Sequence, residues 1–309
     1  MEAGALASAV VLMLTGTLVF VDAVEVLGRR LRLTSHATGA LLAAAFTAFP
    51  ETFIALVASL SSDSVRTEIG VASVLSAPSI TLLLGFPVLA ALGAVKGNPE
   101  RVVPLYSAFA IGTALLPITT LLGSGVVRPV GLAYVAAYVP IAKRIVAEEG
   151  ELMEGKELSI AERFTRVRHT SIAFTQAVAG LLLLTFSADQ FISTVSLSSS
   201  PFAVAMVLSP LATCVEEVLV AFYWALRNKG DAAASLLAGE NAIQATFVYG
   251  AGLLFTGAAP TPQGVSVVPV YVLAAVVLVL MLRLGAVRAS GVVALLYGVY
   301  LFVWSRQLL

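Results

Sequence analysis

Apolar stretches of about 20 residues recur along the whole chain, each long enough to cross the ~30 Å hydrocarbon core of a bilayer. No other feature limits the possible folds so strongly. Ten spans fit, at 4–27, 36–60, 69–93, 102–122, 126–146, 170–197, 201–226, 232–256, 267–285 and 289–307. Composition agrees: 12% of the 309 residues are charged and 59% are hydrophobic, where a soluble domain carries about 25% charged residues. Mean hydropathy is +0.97. A soluble fold would need a very large core with almost no surface. The net charge of zero offers no basic excess for nucleic acid, and the lone Cys214 permits no disulfide framework within one chain. The first stretch ends in Gly28-Arg29-Arg30 without a small-residue cleavage site, so it reads as a span and not a removable signal.

Charge placement orients these spans. Loops between ten spans fall alternately on two sides. One side holds 15 of the 18 basic residues, and the other holds only Arg66, Arg128 and Arg306. The positive-inside rule puts the basic side in the cytoplasm and both termini outside. The widest hydrophilic gap, 147–169, lies on the cytoplasmic side and divides the chain into 1–146 and 170–309, each with five spans. Halves of odd span number joined in series have opposite orientations. If homologous, they form an inverted-topology repeat, the plan of many secondary transporters. The expected fold is an all-α membrane protein of ten transmembrane helices in two inverted five-helix repeats. The gap mixes acids and bases and reads as a solvated linker with an amphipathic helix over 160–168.

A repeat is visible in the residues. TAFPETFIALVASL from Thr47 and TCVEEVLVAFYWAL from Thr213 align on their threonines and put Glu51 on Glu217, an offset of 166. Gly85 and Gly250 close the following spans at an offset of 165, and Asp22 and Asp189 in the preceding spans differ by 167. A carboxylate at mid-span costs at least ~2.5–3.5 kcal/mol, and the lysines and arginines sit at span ends. Acids so placed are protonated or bound to cations. Glu51 and Glu217 are therefore the expected core of a cation or proton site. Thr47 and Thr213 precede their acids by four residues, on the same helix face. Pro50 and Pro210 free backbone carbonyls, which can coordinate hard cations where a broken helix lines a cavity. Ser76, Ser79, Glu240, Asn241 and Gln244 on the facing spans offer further oxygens, and Glu216 is an additional acid beside Glu217.

These residues resemble the Ca²⁺/cation antiporter superfamily, which includes Na⁺/Ca²⁺ exchangers and H⁺-coupled cation exchangers. The superfamily carries Gly-Thr-Ser-x-Pro-Glu in its second and seventh spans. Here Phe46-Thr47-Ala48-Phe49-Pro50-Glu51 keeps Thr and Pro-Glu, and Ala212-Thr213-Cys214-Val215-Glu216-Glu217 keeps Thr and Glu. The third and eighth spans of the superfamily carry Gly-Asn-x-x-Gly-Ser-Asn-x-x-Asn. Here the asparagine positions read Val71, Ser76 and Ser79, then Leu236, Asn241 and Gln244, so two amide positions are apolar. The stretch RNKGDAAASLLAGENAIQ, with Asp231, is similar to the loop and eighth span. The resemblance implies a divergent exchanger of Ca²⁺ or another divalent cation for Na⁺, working by alternating access as the first and sixth spans slide past the rest. H⁺ coupling is the alternative, since the second half lacks the proline. The implied partners are the lipid bilayer and inorganic cations, with no cofactor and no catalytic residues. Nothing calls for a second copy, so a monomer is expected.

Two other classes compete. A cation-binding or sensing protein that no longer transports fits the lost asparagines. An intramembrane hydrolase is disfavoured, because the paired acids are glutamates and Asp-based peptidase signatures are missing. His36 and His169 read as interfacial, and with one cysteine a zinc site of soft ligands is unsupported. Asp22 and Asp189 fit a position near an entrance as well as a structural role.

Overall fold

The computed structural model describes residues 2–48, 52, 71–95, 99–155, 157–193, 205–207, 210–211 and 214–305, with the backbone alone for 2–10, 13, 99, 124, 185 and 187–193. Pro50, Glu51, Thr213 and the Asp189 side chain lie outside the described residues. The architecture is helical: α1 (Glu2–Arg30), α2 (Ser35–Ala37), α3 (Ala44–Thr47), α4 (Pro78–Ile80), α5 (Phe86–Ala91), α6 (Val103–Leu115), α7 (Ser124–Ala147), α8 (Ile160–Thr165), α9 (Thr170–Ser193), α10 (Val215–Leu226), α11 (Gly230–Ile243), α12 (Tyr249–Thr256), α13 (Val268–Arg283) and α14 (Leu295–Ser305). Among the described residues, three pairs are joined by π-helical turns: α2 to α3 by Thr38–Ala43, α4 to α5 by Thr81–Gly85, and α11 to α12 by Gln244–Val248. Among the described residues, the only β pairing is an isolated bridge between Thr34 and Leu152.

Among the described residues, five stretches are long and apolar enough to cross a membrane: Val71–Ala91, Glu100–Leu121, Gly125–Ala147, Gly264–Arg283 and Val287–Ser305. Their ends lie within about three residues of the spans expected at 69–93, 102–122, 126–146, 267–285 and 289–307, inside the usual boundary error. Leu132 and Val139 on α7, Leu273 and Leu280 on α13, and Phe302 on α14 are exposed. In a bilayer these side chains face lipid.

Small residues set the helix spacing, as expected where lipid removes the hydrophobic drive between helices and close contact must supply the attraction. Helix α1 packs along α9, with Gly16 against Leu184 and Gly180 against Phe20, a pairing that runs antiparallel. The α2–α3 segment runs parallel to α11, with His36 paired to Ser235 and Ala40 to Gly239 at the same separation of 199 residues. A Cβ on Gly239 would lie 2.3 Å from the Ala40 carbonyl oxygen, and one on Gly39 would lie 2.3 Å from that of Ala232. Helix α11 occupies the centre of the bundle, and every residue from Ala232 to Ile243 is buried. An apolar helix buried all round belongs in the interior, yet this one also carries Ser235, Glu240 and Asn241.

The 147–169 segment differs from the expected solvated linker, because it is bonded to the bundle. Ser35 N–H donates to the Glu151 carbonyl, and Met153 N–H to that of Leu33. Arg29 donates to the Gly155 carbonyl and the Glu157 carboxylate. Arg30 donates to both oxygens of Glu162, at 2.7 and 2.9 Å. Helix α8 is shorter than the expected 160–168 because Arg166 turns left-handed at φ 59°. It begins in a capping box of Ser159 and Glu162, and its first N–H, from Ile160, donates to Asp22 at 2.7 Å. Asp22 also accepts from Arg163 and Gln176. Asp22 thus anchors the linker. Glu25, one turn further along α1, accepts from Lys229 at 2.6 Å and from Trp224 at 3.0 Å. His36, read as interfacial, is enclosed by protein. It is 1% exposed, between Ser235 at 2.8 Å and Glu148 at 3.4 Å.

Glu162 gives this docking a pH dependence. Burial pushes its carboxyl up, but hydrogen bonds from the Arg30 guanidinium and the Ser159 and His169 amides outweigh that and hold it down at about 2. A depressed carboxyl stabilises the folded form fully above its unfolded value of ~4.3, and the effect is lost as pH falls through the folded one. Linker amides should therefore keep their hydrogen-exchange protection at neutral pH and lose it progressively from about pH 4 towards pH 2. Arg30→Gln leaves the buried Glu162 without its guanidinium, at a local cost of about 3–5 kcal/mol, and should expose the same amides at neutral pH. Unchanged protection in Arg30→Gln would show that the pair does not hold the linker.

Candidate functional site

The oxygen-bearing candidates are sorted by where the helices break. Helix α10 is entered from Cys214, so Glu216 and Glu217 occupy its first turn. They are 2% and 0% exposed. The N-terminal end of a helix carries roughly half a positive charge, which lowers the cost of two acids in an apolar bundle. Adjacent positions point about 100° apart, so the two carboxylates leave α10 in different directions.

Thr47 closes α3 and is fully buried. Its hydroxyl donates to Glu240 Oε2 at 3.0 Å, the shortest of three acceptors within its reach. Glu240 Oε1 accepts from Gln244 Nε2, also at 3.0 Å. Thr47, Glu240 and Gln244 therefore form one buried group, assembled from residues 193 and four apart in sequence. Both of these donors, a hydroxyl and an amide, are neutral and orient the carboxylate. The structure turns Glu240 toward Thr47.

The remaining candidates are buried but bonded elsewhere. Asn241 donates to the Leu237 carbonyl at 2.7 Å and accepts from Thr81 at 3.2 Å. Gln244 instead meets Glu240, at the i,i+4 spacing that brings side chains together on a helix. Ser76 donates to the Ser73 carbonyl at 3.1 Å, and Ser79 lies beside the Tyr300 hydroxyl. A turn at Ala77 followed by Pro78 separates these serines. Residues three apart share a face only along a regular helix, and this break separates Ser76 from Ser79. Glu51 and Thr213 lie outside the described residues.

Several residues at the site carried no sequence argument. Thr81 fixes Asn241, Pro78 breaks the helix between the two serines, and Tyr138 of α7 lies close enough to Glu240 to interact electrostatically. Pro78 was readable as a breaker, since proline removes a backbone donor. The π turns were not, because no residue type encodes them. Each follows or precedes a candidate ligand: Thr38–Ala43 ahead of Thr47, Thr81–Gly85 after Ser79, and Gln244–Val248 after Asn241. Such turns open the regular backbone ladder and recur at functional sites. Among the described residues no group of three or more His, Cys, Asp or Glu side chains gathers as a metal cluster. The donor set is instead a mixture of carboxylate, hydroxyl and amide oxygens, which suits hard cations.

A buried carboxylate that accepts from a hydroxyl and an amide, inside a bundle of apolar helices, fits an integral membrane protein that handles cations. The comparisons with known proteins give the family. The chain belongs to the sodium/calcium exchanger protein family, whose sequence profile matches residues 1–142 and 172–305. The family is one of ion transporters by antiport, not of enzymes. The fold is similar to that of the sodium-calcium exchanger NCX_Mj. In the form soaked with 10 mM Na⁺ and zero Ca²⁺, the TM-score is 0.72 at 18% identity, covering 96% of this chain and 97% of that one. The form soaked with 2.5 mM Na⁺ and 1 mM Sr²⁺ gives 0.69 at 17% identity, covering 96% of both chains. The form with zero Na⁺ and Ca²⁺ gives 0.67 at 18% identity, covering 96% and 97%. A comparison with curated proteins finds no match.

Proposed function

We propose that this chain is a secondary-active antiporter that exchanges Ca²⁺, or another divalent cation, for Na⁺ by alternating access. The observation that carries the reading is the bond between Thr47 of the first half and Glu240 of the second. It joins the two motif regions at a fully buried carboxylate in a member of an exchanger family. The proposed ligands are Glu51, Glu217, Thr47, Thr213, Glu240, Asn241, Ser76, Ser79 and Gln244, with Glu216 beside them. Two carboxylates can neutralise one Ca²⁺, or can instead hold Na⁺ or protons. Mutual exclusion at one site is sufficient for exchange.

The proposed frame is two inverted five-helix repeats, 1–146 and 170–309, joined by a cytoplasmic linker at 147–169, with both termini outside. The two profile-matched stretches flank that linker. The antiparallel pairing of α1 with α9 is what an inverted repeat requires of its first and sixth spans. The π turns Thr81–Gly85 and Gln244–Val248 begin 163 residues apart, close to the repeat offset. Na⁺ coupling agrees with the likeness in fold to a sodium-calcium exchanger. H⁺ coupling is the second reading, favoured by the extra buried acids Glu216 and Glu240.

Ca²⁺ efflux from proteoliposomes, driven separately by a Na⁺ gradient and by a pH gradient, decides between them. The expected result is efflux with Na⁺ outside and little with the pH gradient alone. The reverse outcome transfers the function to H⁺ coupling. Ca²⁺ binding without efflux under either gradient would mean a protein that binds cations and does not move them.

A further inference from the structure

The linker ends in a corner whose chemistry the exchange reaction does not use. Residues 163–169 read RFTRVRH, with three arginines and no acid. Phe164 is 90% exposed, the most exposed large apolar side chain among the described residues, and Val167 beside it is 51% exposed. Arg163 is engaged with Asp22. Arg166 and Arg168 are exposed and, among the described residues, take part in no ion pair. Arg166 adopts a left-handed backbone at φ 59°. That conformation costs a residue with a side chain roughly 1–2 kcal/mol, where glycine would be free of the penalty.

With α9 placed in a bilayer as the span expected at 170–197, the corner stands at the membrane boundary, since α9 starts at Thr170. A groove lined by Ala161, Ser171, Ile172, Thr175, Gln176 and Ala179 leads from α8 along α9. Phe174 and Leu182 on α9 are exposed in the way of lipid-facing side chains. Aromatic side chains favour the headgroup level, and juxtamembrane arginines attract anionic lipid.

We propose that the Phe164–Arg168 corner, together with this groove, docks an anionic phospholipid of the leaflet that the linker faces. The arginines meet the headgroup, Phe164 and Val167 enter the interface, and an acyl chain lies along the groove. The docking reaches the bundle directly: α8 hangs on Asp22 of α1 through Ile160 and Arg163, and on Gln176 of α9 through Ala161. The inference rests on the placement of α9 in a bilayer and not on which ions are exchanged.

The test uses the full chain with Phe164→Trp in vesicles of zwitterionic lipid, with or without an anionic phospholipid, the lipids brominated near the interface. Trp224 and Trp304 are buried, and their signal is subtracted with the protein that lacks the substitution. In anionic vesicles the fluorescence of the introduced indole is expected to be blue-shifted and quenched. Adding Arg166→Gln and Arg168→Gln weakens the preference for anionic lipid about fivefold per arginine. Soluble inorganic phosphate in zwitterionic vesicles should not reproduce the shift, which separates a lipid headgroup from a free phosphate. Equal quenching in both vesicle types, or no effect of the double arginine variant, overturns the proposal. A water-exposed indole in anionic vesicles also overturns it, and points to a soluble partner. Because the readout is fluorescence, a failure of ion exchange leaves this result interpretable.

Discussion

Glu217→Gln is expected to remove gradient-driven Ca²⁺ exchange from proteoliposomes. The side chain is fully buried in the first turn of α10. Glutamine keeps the size and one acceptor oxygen, while the charge is lost and the second oxygen becomes an NH2 donor. Removing one charge from a buried charge pair costs about 2–5 kcal/mol, a fall of roughly 30-fold or more in affinity. A divalent cation can recover little of this from solvent inside the bundle. Glu216→Gln is the control for register. It removes the same charge one position away, about 100° round the helix, and its effect should be several-fold smaller. Exchange at the normal rate in Glu217→Gln would end the proposal that this acid holds the transported ion. A larger effect of Glu216→Gln would show that the neighbouring carboxylate faces the ion instead.

Gly239→Ala should lower the stability of the helix bundle itself. The new methyl carbon would meet the Ala40 carbonyl oxygen at 2.3 Å and the Ala40 Cα at 2.5 Å. Both are backbone atoms, so no rotamer change relieves the contact, and α11 must move away from the α2–α3 segment. Overpacking of this kind costs about 1–3 kcal/mol and sometimes more. It also separates Thr47 from Glu240, since Glu240 is the next residue. Gly252→Ala is the matched control. Its Cβ would lie 3.9 Å from the nearest neighbouring atom, Val74 Cγ1, which is ordinary van der Waals contact. Thermal unfolding in detergent, followed by loss of the monodisperse peak, should show a clear drop for Gly239→Ala and almost none for Gly252→Ala. Equal midpoints for the two variants would show that the helices are not held this closely.

The linker was the part least legible in the sequence. Its mixed acids and bases are equally compatible with solvation and with docking, because the difference lies in which charges meet. Glu162 and Arg30 are 132 residues apart, and only the return of α9 along α1 brings the linker back to the end of α1. Asp22 was similarly ambiguous in the sequence, and its role is fixed by α8 starting on its carboxylate.

Of the acid pair in the second and seventh spans, Glu217 is legible from its span and its repeat partner, and it is buried. Glu51 lies outside the described residues and stays a proposal. By itself the sequence determined the membrane solvent and the five long apolar helices that match its spans, since the length and polarity of a segment are local properties that the bilayer reads directly. It also singled out the carboxylates, whose cost in lipid marks them wherever they fall. Only the tertiary structure decided that Glu240 faces Thr47, that π turns border the candidate ligands, and that the linker is fastened to α1. A side chain's direction depends on helix rotation and on breaks in the backbone ladder, and a shift of one residue changes it by about 100°. That rotation is fixed by close contacts such as Gly239 against Ala40, between residues far apart in the chain.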